Sequence, residues 1–244
     1  MEAMQVVRQK EPKSIQEAVY SELKRNIMNL RLPPGTIMST QEMADRLNVS
    51  RTPVREAFLR LHDERLVEVY PQRETVVTRI DIKRAEQERF IRESLEIAAM
   101  DCFMRSCGAS DITPLVDMIH MQRKAAEEKD YEGFIECDNQ FHKHIFQSAG
   151  LKLGWSAIMA FNGHYNRIRM LTIQNSITLN SAIEQHETLI KMMKAGDTEA
   201  LRKEIKDHLQ KINQEKLALI QSYREYFKLE EDADSRNTSL ISHL

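Results

Sequence analysis

The sequence predicts a mainly α protein in two parts, an N-terminal winged helix-turn-helix and a C-terminal all-α helical bundle. Three observations predict it. Met38 to Leu66 reads as two short helices joined by a tight turn, with arginines at the start of the second. Two β-branched runs follow at once. From Asp81 onward proline all but vanishes and helical patterns succeed one another to about residue 227.

In chain order, Ile15 to Leu30 makes an amphipathic first helix with Val19, Leu23, Ile27 and Leu30 on one face. Leu32-Pro33-Pro34-Gly35 ends it. Met43, Ala44 and Leu47 recur at helical spacing before Asn48-Val49-Ser50 breaks the pattern. The Ser50 hydroxyl is placed to cap a third helix, where Pro53 is tolerated because an early N–H would be unpaired anyway. Val54, Ala57, Phe58 and Leu61 form the apolar stripe of that helix, and Arg51, Thr52 and Arg55 stand at its N-terminal end. A helix-turn-helix meets base edges and phosphates of the major groove from that position. The competing reading is an ordinary helix pair with a solvated basic face. Leu66–Tyr70 and Thr75–Thr78 around Pro71-Gln72-Arg73-Glu74 favour the DNA-binding one, because a hairpin directly after a recognition helix is a wing.

The body reads as helices over 83–107, 110–128, 130–149, 152–174, 179–195 and 197–227. Breaks fall at Cys107-Gly108-Ala109-Ser110, Ala149-Gly150 and Ala195-Gly196-Asp197, with Ser110 a suitable helix start. Residues 228–244 lack apolar periodicity and are expected to fray. The predicted division is therefore a head over 1–80, a helical body over 81–227 and a tail over 228–244.

Composition bounds the function. A chain of 244 residues with a formal net charge of −2 has room for two cores and is no indiscriminate polycation. Residues 1–80 hold 13 basic and 11 acidic side chains, so the excess of acid lies in the body. No apolar run approaches the ~18 residues of a membrane span, and the N-terminus has no signal-peptide core. Cys102, Cys107 and Cys137 form no CxxC pair. A cytoplasmic protein with reduced thiols is expected.

The body's chemistry rests on histidines and one carboxylate. Asp138 and His142 lie four apart, on one face of a helix. His186 lies beside Ile183, Leu189 and Ile190, and His208 beside Leu201, Ile205, Leu209 and Ile212, so each sits at the edge of a buried face. Four such groups from three helices can converge on a divalent metal. Each histidine alone reads more readily as a hydrogen-bonded core residue than as a ligand, and only the Asp138/His142 spacing is suggestive.

The head resembles the N-terminal domain of GntR-type bacterial transcription regulators, on the run from Leu32 to Leu61 and above all Ser50-Arg51-Thr52-Pro53-Val54-Arg55-Glu56-Ala57. The resemblance covers about residues 14–78. It implies that Arg51 and Arg55 reach bases or phosphates while Ser50, Thr52 and Pro53 shape the start of the helix. Gln41 and Arg73 complete the expected DNA-binding set. Family members often carry an acidic residue in place of Thr40, Glu-Gly in place of Glu64-Arg65, and Arg-Gly in place of Arg73-Glu74.

The body, over about residues 84–215, is similar to the ligand-binding domain of the FadR subgroup. Its pattern runs D-x-x-x-H, E-H-x-x-[IL], A-x-x-G-D-x-x-x-A and a final H. Here these read Asp138 to His142, Glu184-Gln185-His186 with Leu189, Lys194 to Ala200, and His208, with Gln185 inserted in the second motif. The resemblance implies a divalent metal on Asp138, His142, His186 and His208, zinc first, with nickel, iron or manganese as alternatives. It also implies a small carboxylate effector on the open metal positions. Arg92, in Arg-x-x-Leu-Glu, is the expected counter-charge, or else an exposed ion-pair partner of Glu88 or Glu96. Asn166 and Arg169 are further effector candidates, and His164 and Tyr165 are expected to line the cavity. His62, His120 and His144 are expected at the surface. A homodimer on a short inverted-repeat operator is expected, joined through Met100, Phe103 and Met104 and acting as a repressor. Two other classes stay open: a metal-dependent enzyme fused to the head, which the absence of an H-E-x-x-H or Ser/His/Asp arrangement disfavours, and a DNA binder with a purely structural metal.

Overall fold

The computed structural model describes residues 14–70, 73–174 and 177–228, the side chains of 177–178 and 211–216 excepted. Pro71 and Gln72 of the hairpin, the side chain of Ile212, and the expected tail beyond Lys228 lie outside the described residues. The chain forms two compact units, one reaching to Lys83 and taken up again from Ile220, the other spanning Arg84–Leu219.

The first unit begins with α1 (Ile15–Met28), capped by the Ser14 hydroxyl accepting from Glu17 N–H. Then come β1 (Ile37–Met38), α2 (Thr40–Leu47), α3 (Arg51–Asp63), β2 (Val67–Val69) and β3 (Thr75–Val77). The strands form an antiparallel sheet in the order β1-β3-β2, with Val67 opposite Val77 and Ile37 opposite Val76. Sequence periodicity is silent on β1 because two residues carry no alternation. Val19, Leu23 and Ile27 meet Met43, Leu47, Val54, Phe58 and Leu61 in one core. Its α1–α3 edge is closed by polar contacts. Lys24 Nζ lies 2.6 Å from Glu64, and the Arg60 guanidinium sits 3.6 Å from the centre of the Tyr20 ring. The last described turn, Arg224–Tyr226, joins this unit: Ile80 N–H donates to Tyr226 O and Lys228 N–H to Ile80 O, at 2.7 and 2.9 Å. Ile80 and Phe227 are both buried there, so the expected boundary at 227 does not coincide with the grouping of the chain.

The second unit contains α4 (Ile82–Ser106, from Arg84), α5 (Ala109–Glu127), α6 (Tyr131–Ser148), α7 (Lys152–Ala160), α8 (Gly163–Gln174), α9 (Ile177–Ala195) and α10 (Thr198–Ser222, to Leu219). Helix α5 packs on α6 and α9. The expected single helix over 152–174 is broken at Phe161-Asn162. The break creates a helix N-terminus whose first free N–H groups, those of His164 and Tyr165, both donate to the buried Glu88 carboxylate at 2.8 Å. A carboxylate at a helix N-terminus is favoured by the exposed donors and the helix dipole together. Every residue of α8 from His164 to Ile173 is buried, which makes it an interior helix. Met100 and Phe103, expected on an exposed dimer face, are also interior, because α4 turns them toward the core beside Ala99. Helix α5 starts at Ala109 rather than after Ser110, since Asp111 reaches back to accept from Gly108 N–H at 2.9 Å.

Helix ends depend on the left-handed backbone region. Gly150 and Gly196 stop α6 and α9 with φ of 75° and 71°, at two of the predicted breaks. Asn48 takes the same region, φ 53°, in the helix-turn-helix turn, where a short polar side chain tolerates it. Arg65 follows α3 with φ 63°, at the position where the resemblance leads one to expect glycine. The strain of a Cβ there exceeds the extra chain entropy that glycine brings to the unfolded state. Arg65→Gly is therefore expected to stabilise the first unit by about 0.5–1 kcal/mol. Its backbone contacts, N–H to His62 O and O from Thr78 Oγ1, are unaffected by the change. Urea denaturation of both proteins measures the difference, and a loss of stability would contradict the strain argument.

Candidate functional site

Two sites emerge, one in each unit. On the first, α3 presents Arg51, Thr52 and Arg55 to solvent at its N-terminal end, opposite the buried Val54, Ala57 and Phe58. Arg51 Nε donates to the Gln41 carboxamide of α2, and Gln41 Nε2 donates to Asp45 at 2.6 Å. Ser50 makes no side-chain cap, contrary to expectation, so its exposed hydroxyl is free of the helix it precedes. Pro53 is buried in the first turn of α3. Arg73 and Glu74 are exposed on the hairpin. The face therefore offers arginines, an amide and hydroxyls on a rigid scaffold, the donors that phosphates and guanine edges accept.

In the second unit, Asp138, His142, His186 and His208 come together. One ligand atom from each lies within 4.8 Å of all the others. Asp138 and His142 come from one face of α6, His186 from α9 and His208 from α10. The first three are buried and His208 is half-buried. The Phe141 ring stacks on His186 at 4.4 Å and 13°, fixing its plane. Each imidazole presents Nδ1 to an acceptor on another helix. His142 Nδ1 is 2.6 Å from Glu96 Oε2 on α4, His186 Nδ1 is 2.8 Å from Gln122 Oε1 on α5, and His208 Nδ1 is 3.2 Å from Gln185 Oε1 on α9. Nε2 of His142 and of His186 are buried with no hydrogen-bond partner among the described residues. Nitrogens left bare beside a carboxylate, with His186 Nδ1 hydrogen-bonded behind and His142 Nδ1 close to the Glu96 carboxylate though out of hydrogen-bond alignment, suit a metal site.

The electrostatics agree. Burial pushes His186 down to about 3, outweighing the pull of Asp138, so its ring is neutral at physiological pH. Burial likewise holds His208 well below its ordinary value. Burial alone would raise the Asp138 carboxyl, but Arg169, His142, His186 and Arg92 together hold it far below the usual carboxylate range. The Arg169 guanidinium engages Asp138 Oδ2, leaving Oδ1 to face His186 Nε2 at 3.6 Å. Arg169 is itself fixed by Asn139 at 3.0 Å and Asn166 at 3.2 Å.

A cavity of about 50 Å³ adjoins the cluster, lined among others by Arg92, Asp138, Tyr165, Arg169, Gln185 and His208. It can hold ordered water or a very small ligand group. Arg92 is only 3% exposed. It pairs with Glu96 at 2.6 Å and lies 3.6 Å from Asp138, while Glu88 is engaged at the start of α8. The expected i,i+4 pair thus exists, but buried and beside the cavity rather than exposed. Asn166 does not line the cavity; it stands behind Arg169. Tyr165 lines it, and His164 is buried against Arg167 at 3.1 Å. His62 and His144, expected at the surface, are half-buried on backbone carbonyls of Val67 and Asp111. His120 is exposed.

Sequence reasoning missed Gln122 and the contacts of Glu96 and Gln185. Gln122 lies on α5, which carries no ligand, and a glutamine in a helix gives no sign of burial. Among the described residues no helix is long and apolar enough to cross a membrane.

Residues 15–77 match the bacterial regulatory proteins of the gntR family, and residues 89–211 match the FCD domain. The HTH-type transcriptional repressor RspR of Escherichia coli K12 is 29% identical over 216 residues, covering 88% of this chain and 95% of that protein. The HTH-type transcriptional regulator McbR of the same strain is 26% identical over 214 residues, covering 85% and 92%. The solved structure of E. coli McbR/YncC superposes with a TM-score of 0.72 at 25% identity, over 86% of this chain and 99% of that one. The winged head, the helical body and these likenesses together make the chain a bacterial transcriptional regulator of the GntR family with a C-terminal FCD domain.

Proposed function

We propose that this regulator is a ligand-responsive repressor whose FCD domain holds a divalent metal on Asp138, His142, His186 and His208. The observation that carries the reading is the convergence of those four groups within 4.8 Å, with two buried Nε2 atoms left bare. Three imidazoles and one carboxylate oxygen suit zinc, and also nickel, iron or manganese. Bound there, the ion supplies a Lewis-acidic anchor. The chain's own part is to aim Nε2 of each ring and Oδ1 of Asp138, and to offer Arg92 and Arg169 at the cavity to a small carboxylate. Repression agrees with the name carried by RspR. A homodimer on an inverted repeat supplies the second head that one short recognition helix needs for useful specificity.

Elemental analysis of the purified protein is expected to find one divalent ion per chain. His186→Ala is expected to lose both the metal and the thermal shift given by small carboxylates, while still binding operator DNA. A metal-free wild type that responds to a carboxylate in the presence of chelator would sink the mechanism. On the head, Arg51→Ala and Arg55→Ala each remove a contact worth roughly 1–3 kcal/mol of base discrimination. About tenfold or greater weakening of operator binding at fixed salt is expected by gel shift, with the fold intact by circular dichroism. Unchanged binding by both variants would remove α3 as the recognition helix.

The cluster also sets a pH dependence in chelator-treated protein. The folded values of His186, about 3, and Glu96, about 2, lie below their unfolded values. Burial opposes the Glu96 shift, and His142 and Arg92 overcome it. The unfolded chain therefore takes up these protons first. Stability is fully present above pH 6.5 and falls as pH drops toward 3 for His186, then from 4.5 toward 2 for Glu96. The expected slope is about 1.4 kcal/mol per pH unit for each proton. Urea denaturation between pH 7 and 5 measures it. His186→Gln should flatten the dependence, and an equally steep variant would contradict the assignment.

A further inference from the structure

We propose that Gln122 is the positioning residue that decides which nitrogen of His186 carries the proton, and so keeps Nε2 open toward Asp138. The effect on metal affinity rests on the metal reading above; the effect on the proton does not. A neutral imidazole has one N–H to place on two nitrogens. His186 is wholly buried and its plane is held by the stacked Phe141 ring, so the ring cannot turn over and carry Nδ1 away from Gln122 without unpacking that stack. Both nitrogens have an acceptor in view. Nδ1 is 2.8 Å from Gln122 Oε1, and Nε2 is 3.6 Å from Asp138 Oδ1.

The carboxylate is intrinsically the stronger acceptor, because hydrogen bonds to charged groups exceed those to neutral ones. Without Gln122 the proton would move to Nε2, close the gap to Asp138 and block the lone pair that faces the other ligands. Gln122 prevents this by distance and alignment rather than by charge. The arrangement carries a cost that points to a role: Gln122 is 1% exposed, and its Nε2 donor has no partner among the described residues. A buried amide kept only for packing would be better replaced by an apolar side chain of similar volume. His142 faces a different situation, since its Nδ1 acceptor is the Glu96 carboxylate. His208 is only half-buried, and its acceptor Gln185 lies at the longer distance of 3.2 Å.

Long-range proton–nitrogen spectra of 15N-labelled, chelator-treated protein report the proton position directly. Wild-type His186 is expected as the Nδ1–H form, Gln122→Met as the Nε2–H form, and Gln122→Glu, which keeps an acceptor, as the Nδ1–H form again. Zinc affinity, measured by competition with a chromophoric chelator, is expected to fall 10- to 100-fold in Gln122→Met and to recover in Gln122→Glu. A merely structural role would lower the melting temperature of Gln122→Met and leave the proton where it was. Wild-type His186 in the Nε2–H form would overturn the proposal without any variant. So would a Gln122→Met protein with an unmoved proton, or one whose proton moves while zinc affinity stays the same. A wild type that binds no zinc would remove the metal reading, and the spectra would still decide the role of Gln122.

Discussion

The buried carboxylate of Asp138 is the charge around which the second unit is arranged. An isolated carboxylate moved out of water would take up a proton rather than stay charged. Here it stays ionised because the Arg169 guanidinium holds one oxygen and the Arg92 guanidinium stands 3.6 Å away. Each requirement then places a helix. Arg169 has to come from α8, so α8 runs through the interior. Arg92 has to be neutralised, which fixes Glu96 one turn further along α4. Glu96 in turn lies against His142 of α6, returning the network to the helix that carries Asp138.

The same requirement explains the break before α8. A helix buried on every side must satisfy its first N–H groups without water. Glu88 does so, and the uninterrupted helix expected over 152–174 would have offered it no free N–H at His164 and Tyr165. Arg167, wholly buried two residues on, is pushed by burial down to about 10, with the nearby Glu88 charge pulling the other way. The polar face of α8 is thus an interior face, with Arg167 set against His164 and Arg169 against Asp138 rather than against solvent.

Much of this was legible in the sequence, and what was not depends on contacts between residues distant in the chain. The order of elements in the head, the α3 arginines and the glycine stops at 150 and 196 follow from periodicity and backbone preference, which are local. The Asp138/His142 pair is local too, since i,i+4 spacing forces a common face. Where polarity was read as exposure, the reading failed. Arg92 was as readily a surface ion pair, Asn166 a cavity residue, and α7 with α8 one helix, because hydropathy cannot distinguish a solvated arginine from one paired inside. Met100 and Phe103 failed in the opposite sense: apolar residues on a long helix read as a free face until the packing around Ala99 is seen. Gln122 gave no signal at all, because its role lies in a single contact across 64 positions of sequence.

The charges around the cavity also constrain what the site can accept. Arg92 with Glu96 and Arg169 with Asp138 are balanced pairs. A divalent ion on neutral imidazoles and an already paired carboxylate would therefore bring about two uncompensated positive charges into the interior. Buried charge without a counter-charge is strongly unfavourable. A small carboxylate in the adjoining cavity would offset about one of those charges, and either guanidinium can shift part of its pairing to the newcomer. On the proposed function, metal and anion then bind with positive coupling: each lowers the electrostatic cost of the other, and by linkage the effect is the same in both directions. A carboxylate that binds only beside the metal would report on both at once through the helices that hold the four ligands.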